Sequence, residues 1–113
     1  MNEIRAIIRP TRLEKLRTAL RDLPNFPGLT VFKVEGFTAP SSLDKRSDEE
    51  ELTDFSPKLM VCILADKGMT EQIQKVISDQ CSTGQMGDGL SWVVEATAVT
   101  RIRDSAVLPR SKQ

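Results

Sequence analysis

Three glycines fall within seven residues in the segment Thr83–Gly89, which reads Thr-Gly-Gln-Met-Gly-Asp-Gly. Glycines let the backbone approach a ligand closely, and successive N–H groups that point the same way bind phosphate. The segment is neither a P-loop nor a dinucleotide-binding fingerprint, because no Lys-Ser/Thr follows it and no helix begins there. Glycine-rich turns between a helix and a strand are also common as helix caps, so the spacing alone leaves both interpretations open.

Basic residues elsewhere in the chain could supply charge to such a phosphate site. Arg101 and Arg103 are two positions apart, so on a strand they share a face and could clamp a phosphate. Lys58 begins an apolar run and could reach an anion held by the glycine turn. Solvated or salt-bridged cations explain these positions equally well. The acidic residues 48–51 could bind a hard cation, but their spacing lacks an EF-hand pattern and favours a solvated loop.

The composition argues against catalysis. The 113 residues include no histidine and only two cysteines, Cys62 and Cys81, which disfavours His-based catalysis, zinc sites and a disulfide scaffold. A net charge of +0 removes long-range attraction to nucleic acid. No run approaches the ~20 apolar residues that cross a bilayer. We therefore expect a cytoplasmic, non-enzymatic protein with one domain over residues 1–113, without nucleic-acid binding or membrane insertion.

The elements that must position these groups alternate between strand and helix. Thr11 and Thr70 are expected to cap the two helices. Two strand-helix-strand units give an α+β, ferredoxin-like βαββαβ sandwich, with both helices on one face of a four-stranded antiparallel sheet. The predicted elements are a strand at 4–8, a helix at 11–23, strands at 29–37 and 55–65, a helix at 70–84 and a long last strand at 91–103.

One face of this predicted sheet has no helix to cover it. Ile7 and Val99 are expected to point away from the helices, and the unbroken apolar run 59–64 predicts a strand buried on both faces. We therefore expect the bare face to pack against other copies of the chain. Residues 38–54 are polar and form an unusually long loop for a small domain, and such loops are functional or disordered.

With these motifs in place, the chain resembles the PII signal-transduction family over roughly residues 1–103. Two of the segments that carry the resemblance, Thr83–Gly89 and Val99–Arg103, match the family's best-known signatures at the right distance apart. The full set of segments is Ile4–Pro10 with Leu13, Gly28–Val31, Val34–Phe37, Pro57–Lys58, Thr83–Gly89 and Val99–Arg103.

The resemblance implies a homotrimer that binds an adenine nucleotide, ATP, ADP or AMP, in the clefts between subunits, with Mg²⁺ and 2-oxoglutarate as companion ligands. Residues 38–54 would be a flexible T-loop-like insertion that controls an unidentified transporter, enzyme or regulator, and residues 104–113 a C-terminal tail. Lys58 would lie close to the terminal phosphate or to 2-oxoglutarate. The other implied ligand contacts are Thr30 and Gly36 in the cleft, Ile7 and Leu64 near the base, and Gly87, Asp88, Gly89, Arg101 and Arg103 at the phosphates.

Some positions depart from the family's pattern. Leu90 stands where a lysine usually follows Gly-Asp-Gly, and losing a charge-assisted contact costs ~1.5–3 kcal/mol, enough to shift preference from triphosphates to di- or monophosphates. Cys62 replaces a commonly acidic residue near the base, and the absence of tyrosine removes the usual uridylylation target. A trimeric assembly subunit without nucleotide binding and a metal-responsive relative are the alternative interpretations.

Overall fold

The computed structural model describes residues 1–37 and 55–109. The predicted loop 38–54, with its acidic residues 48–51, and the tail residues 110–113 lie outside the described residues. The elements are β1 (Asn2–Ile8), α1 (Leu13–Arg21), β2 (Thr30–Gly36), β3 (Ser56–Ala65), α2 (Thr70–Cys81), β4 (Ser91–Glu95), β5 (Val99–Thr100) and β6 (Val107–Leu108).

The main sheet has the strand order β2-β3-β1-β4, and each neighbouring pair is antiparallel. Helix α1 follows β1 and helix α2 follows β3, and the two helices contact each other over the same face of the sheet. The predicted ferredoxin-like α+β plan is therefore confirmed. β2 ends at Gly36 and β3 begins at Ser56, and these two residues pair with each other. Next to them, the ring centroids of Phe37 and Phe55 lie 5.7 Å apart. The chain therefore enters and leaves segment 38–54 at one place.

The hydrophobic core lies between the two helices and the sheet. Alternation in β1 buries Ile4, Ala6 and Ile8, as the sequence predicts, and these residues pair with Ile63, Val61 and Leu59 of β3. The helices contribute residues four positions apart, which share one helix face. The buried core residues are Ile4, Ala6, Ile8, Leu16, Leu20, Val61, Ile63, Ala65, Ile73, Ile77 and Cys81.

Both helices begin differently from the prediction. A 3-10 turn precedes each of them, over Pro10–Arg12 and Lys67–Met69, and neither helix has a side-chain cap hydrogen bond. The predicted caps by Thr11 and Thr70 are therefore wrong. Thr70 is the first residue of α2, and its hydroxyl oxygen accepts a hydrogen bond from the Asn2 amide at 3.0 Å, so this side chain links the helix to β1 instead.

The sheet face opposite the helices is only partly covered within this chain. In β3, Met60 and Cys62 are half-buried and Leu64 is 40% exposed, so the prediction that this strand is buried on both faces is wrong for a single chain. On β2, Phe32 is 47% exposed, and it pairs with Met60. Ile7 lies on this open face, as predicted, because it alternates with the buried residues of β1 and also pairs with Met60.

The predicted last strand, 91–103, is interrupted. β4 pairs with β1 only as far as Glu95, opposite Asn2, and the Ala96 N–H then donates to the Met1 carbonyl at 3.0 Å. Val99 instead pairs with Leu108 in the separate β5–β6 hairpin, so its predicted place on the open face is wrong. Arg101 and Arg103 follow β5 rather than sharing a strand face.

Candidate functional site

The glycine turn 83–89 lies between α2 and β4 and packs directly against β1. The Ile7 N–H donates to the Leu90 carbonyl at 2.9 Å. Gly89 has a φ of 100°, and a Cβ atom built on it would lie 1.7 Å from the Ile7 carbonyl oxygen. No side chain fits there, so glycine is what allows the turn to approach the strand.

The Asp88 side chain folds the turn back on itself. Its carboxylate accepts hydrogen bonds from the Thr83 N–H at 2.7 Å, the Thr83 hydroxyl at 2.5 Å and the Gly84 N–H at 3.0 Å. The Arg9 Nε donates to the same group at 3.2 Å. Burial alone would raise the pKa of Asp88, but these bonds from Thr83, Arg9 and Gly84 outweigh it and lower the pKa to about 2. The turn therefore carries a fixed negative charge of its own, held by one guanidinium.

Arg9 is a site residue that the motif analysis missed. Besides its ion pair with Asp88, its Nη2 donates to the Met86 carbonyl at 2.9 Å. The residue directly follows β1, at the strand end beside the glycine turn. Its only sequence signal was a basic residue after an alternating strand, and no local spacing ties that residue to a turn almost eighty positions later.

Lys58 lies where the sequence places it, at the start of β3. It is only 6% exposed, and its Nζ donates to the Gly87 carbonyl at 2.8 Å. Gly36 lies against it, since a Cβ on Gly36 would be 3.2 Å from the Lys58 Cγ. The structure therefore brings together Gly36, Lys58 and the glycine turn, at the base of segment 38–54.

The positions of these two cations fix the orientation of the turn's peptide groups. The Met86 carbonyl points at Arg9 and the Gly87 carbonyl points at Lys58. In a trans peptide the N–H of the next residue points the opposite way. The N–H groups of Gly87 and Asp88 are therefore directed away from the cations. Successive N–H groups with one orientation form an anion-binding concavity.

A second group of predicted site residues lies on the open face of the sheet. Thr30, Cys62 and Leu64 line a cavity of about 590 Å³ there, together with Gly28 and Met60. Its lining also includes the Glu3–Arg5 ion pair, and its apolar part suits a flat ring better than a phosphate. The pKa of the Cys62 thiol is raised by burial and then by Glu3, against a lowering by Arg5. A thiol with a raised pKa stays protonated near neutral pH, so Cys62 acts here as a small apolar residue.

The two predicted phosphate-binding arginines form a third group, in the turn of the β5–β6 hairpin. Arg101 makes a two-bond ion pair with Asp104, at 3.1 and 2.6 Å. Hydrogen bonds from Arg101 and then from the Ala106 N–H lower the pKa of Asp104. Among the described residues, no hydrogen bond or ion pair connects Arg101 or Arg103 to the glycine turn.

The described residues include neither a metal-binding group nor a helix suited to crossing a membrane. They contain no group of three histidine, cysteine or acidic residues able to hold a metal ion. None of the helices in this part of the chain is both long and apolar enough to cross a membrane. The structure places the glycine turn with Arg9 and Lys58 at one location and a partly apolar cavity at another.

Comparison with known proteins places these features in a family. The family model for nitrogen regulatory protein P-II matches residues 1–106. The chain is 32% identical over 104 residues to nitrogen regulatory protein P-II of Synechocystis sp., covering 91% of this chain and 92% of that protein. It is 33% identical to the P-II protein of Pasteurella multocida and 32% identical to P-II 1 of Escherichia coli, with the same coverage.

Proposed function

The chain belongs to the nitrogen regulatory protein P-II family, and from this premise we propose that it is a trimeric regulator of a target protein. In this proposal an adenine nucleotide binds in clefts between subunits, and residues 38–54 contact the target. The protein is non-enzymatic and cytoplasmic. Nucleotide binding changes the conformations available to the contact segment, so that the target is bound or released.

The observation that carries the proposal is the orientation of the glycine turn. Arg9 and Lys58 hold the carbonyls of Met86 and Gly87, so that each following N–H group points away from the cation on the carbonyl of its own peptide. A phosphate placed at either of those groups accepts a hydrogen bond from the backbone. Lys58 would contact the terminal phosphate or 2-oxoglutarate. Mg²⁺ would enter with the phosphates, since the described residues form no metal site of their own.

The candidate site residues fall into three groups within one chain, and this arrangement supports a role for neighbouring subunits. The glycine turn, the cavity beside Thr30 and Leu64, and the Arg101 hairpin form separate groups within one chain. A ligand that uses all of them needs a second copy to bring complementary parts together. The uncovered sheet face, with Phe32 47% exposed, offers the apolar surface through which copies would associate.

Calorimetric titration tests the proposal once light scattering has given the oligomeric mass. ATP, ADP and AMP are titrated with and without Mg²⁺ and 2-oxoglutarate, and we expect about one nucleotide per subunit. Replacing Arg101 and Arg103 together by Ala should weaken binding by roughly tenfold or more, because each lost charge-assisted contact costs about 1.5–3 kcal/mol.

The matched control replaces Arg17 and Arg21 by Ala, since these exposed arginines lie on α1, away from the glycine turn. The control variant should bind nucleotide like the wild type. Unchanged affinity in the Arg101 and Arg103 variant would remove these residues from the site, and an intact trimer without heat for any ligand would overturn nucleotide binding.

Leu90 favours a second candidate function, that of an assembly subunit without an effector. This side chain is 75% exposed beside the oriented N–H groups and brings no charge to them. The same titration separates the two functions, because an assembly subunit keeps its oligomeric mass and gives no heat with any nucleotide. Preserved binding with preference for ADP or AMP would instead support a sensor whose specificity Leu90 has changed.

A further inference from the structure

The hairpin that carries Arg101 is closed by its own backbone. β5 and β6 pair antiparallel, and between them the Arg101 N–H donates to the Ala106 carbonyl at 2.8 Å. The Ser105 N–H donates to the Arg101 carbonyl, also at 2.8 Å. Ser105 has a φ of 57°, the left-handed conformation that tight turns use. This turn holds Asp104 within reach of the Arg101 side chain.

Asp104 occupies one edge of the Arg101 guanidinium. Nε donates to Oδ1 at 3.1 Å and Nη2 donates to Oδ2 at 2.6 Å, while the Ala106 N–H fixes the same carboxylate at 3.0 Å. This two-bond geometry is the one that arginine uses to hold a phosphate or carboxylate ligand. The side chains are 29% and 39% exposed, so an anion in solution can reach the pair.

We propose that Asp104 is an internal competitor that sets how tightly Arg101 binds an anionic ligand. A phosphate that approaches the Nε and Nη2 edge must displace the carboxylate, and one that approaches another edge is repelled by its negative charge. Asp104 is therefore a specificity-determining residue, although it does not contact the ligand. This inference rests on the proposed function, in which Arg101 contacts a nucleotide phosphate.

The substitution Asp104→Asn tests the competition. Asparagine keeps the size of the side chain and an oxygen for the Ala106 N–H, but it loses the charge that competes for the guanidinium. We expect ATP and inorganic tripolyphosphate to bind roughly two- to fivefold tighter to this variant than to the wild type, as for a partly exposed ion pair. Asp104→Ser is measured in parallel, and thermal unfolding establishes that each protein is folded.

Glu14→Gln is the matched control. Glu14 also pairs with an arginine three positions away along the chain, Arg17, at 2.7 Å, so the substitution removes the same charge from a more exposed pair on α1. It should leave the affinity for both probes unchanged. In a chain that also carries Arg101→Ala, the gain from Asp104→Asn should disappear, since no guanidinium is left to compete for.

The outcomes separate this inference from the proposed function. Unchanged or weaker binding by folded Asp104→Asn and Asp104→Ser would overturn it, and so would a gain that persists without Arg101. Nucleotide binding by wild type that Arg101→Ala weakens would still support the proposed function in that case. If wild type binds no probe but Asp104→Asn does, the competition is supported and nucleotide sensing by the wild type is overturned. Failure of both proteins to bind either probe overturns both.

Discussion

The Asp88 carboxylate accepts hydrogen bonds from two backbone N–H groups and a hydroxyl, and it pairs with Arg9. These donors surround it only in the folded turn, because the unfolded chain separates Arg9 from Asp88 by most of its length. Folding therefore lowers the pKa of Asp88 from 3.8 to about 2. By linkage, a carboxyl group with a lowered pKa stabilises the folded state above its unfolded pKa and loses that contribution as pH falls through the folded value.

The substitution Asp88→Asn tests this contribution. At neutral pH the variant should be less stable than the wild type, and the difference in free energy of unfolding should shrink by about 1–2 kcal/mol between pH 5 and pH 2. The free energies are measured by urea denaturation at fixed protein concentration, followed by circular dichroism. Taking the difference between the two proteins cancels the titration of all other groups.

Asp79→Asn serves as the control for this pH dependence. Asp79 lies on α2 and pairs with the exposed Lys75, at 3.1 Å. Its substitution should change the free energy of unfolding little at any pH in the range. A difference between wild type and Asp88→Asn that stays constant from pH 5 to pH 2 would mean that the Asp88 charge is not stabilised by the turn.

A candidate site residue could be predicted from the sequence where its residue type and local spacing indicate its chemistry. Lys58 and the glycine turn could be identified from the sequence, and the structure joins them through the Gly87 carbonyl. Arg9 could not be identified, because its partner Asp88 is distant in sequence and the contact depends on the sheet register. The Asp104 partner of Arg101 is only three residues away, yet the predicted strand ended at residue 103 and left Asp104 in the tail beyond it.

Between elements, the glycine turn packs directly against β1. The Ile7 N–H donates to the Leu90 carbonyl, and the Ile7 carbonyl lies where a Gly89 side chain would begin. This contact sets the distance between the turn and the strand. The same strand ends at Arg9, which holds the Asp88 and Met86 groups, so a displaced turn would lose several contacts together.

Gly89→Ala tests this approach of turn to strand. A Cβ only 1.7 Å from a backbone oxygen cannot be accommodated without moving β1 or the turn. We expect a loss of about 3 kcal/mol or more in free energy of unfolding, from the clash and from the φ of 100°. Thermal and urea unfolding measure the loss.

Two other glycines separate the clash from the conformational strain. Gly84 has a φ of 79° but open space around its Cβ position, so Gly84→Ala should cost only about 1–2 kcal/mol. Gly68 has open space and no positive φ, so Gly68→Ala should be close to neutral. Equal losses for Gly89→Ala and Gly84→Ala would show that the approach to Ile7 costs nothing.

The elements were predictable in type and order but not in their ends. Alternation in β1 gave its buried face correctly because the period of a strand is local. The end of β4 was not predictable from its own residues, because a period of two does not show that pairing with β1 stops at Asn2 and Glu95. The predicted helix caps were wrong because side chains can bind distant partners instead. The Thr70 hydroxyl accepts a hydrogen bond from the Asn2 side-chain amide instead of capping α2.

At the scale of the whole molecule, a single chain leaves the sheet face opposite the helices partly exposed. Met60 and Cys62 are half-buried there, while Phe32 and Leu64 are 47% and 40% exposed. The unbroken apolar run in β3 predicted burial on both sides, and an oligomer would provide the missing side. The cavity that Thr30 and Leu64 line opens on this face, so association and ligand binding are expected to depend on the same surface.

Phe32→Glu tests that dependence. A charge on the open face of every copy would have to be buried without a partner on association, so the association constant should fall at least roughly a hundredfold. Light scattering would then report a monomer at micromolar concentrations. Val31→Glu is the control, because Val31 is the preceding residue of β2, is 37% exposed and faces the other side of the sheet. It should leave the oligomer intact.

Nucleotide binding by the two variants then decides whether the cleft needs a second copy. If the site is shared, monomeric Phe32→Glu should lose affinity for ATP by at least tenfold while Val31→Glu retains it, since the variant lacks the neighbouring copy and Phe32 itself lines the cavity. A monomeric Phe32→Glu protein that binds ATP like the wild type would place the complete site within one chain. The glycine turn, held by Arg9 and Lys58, would then have to bind the nucleotide without help from a neighbour.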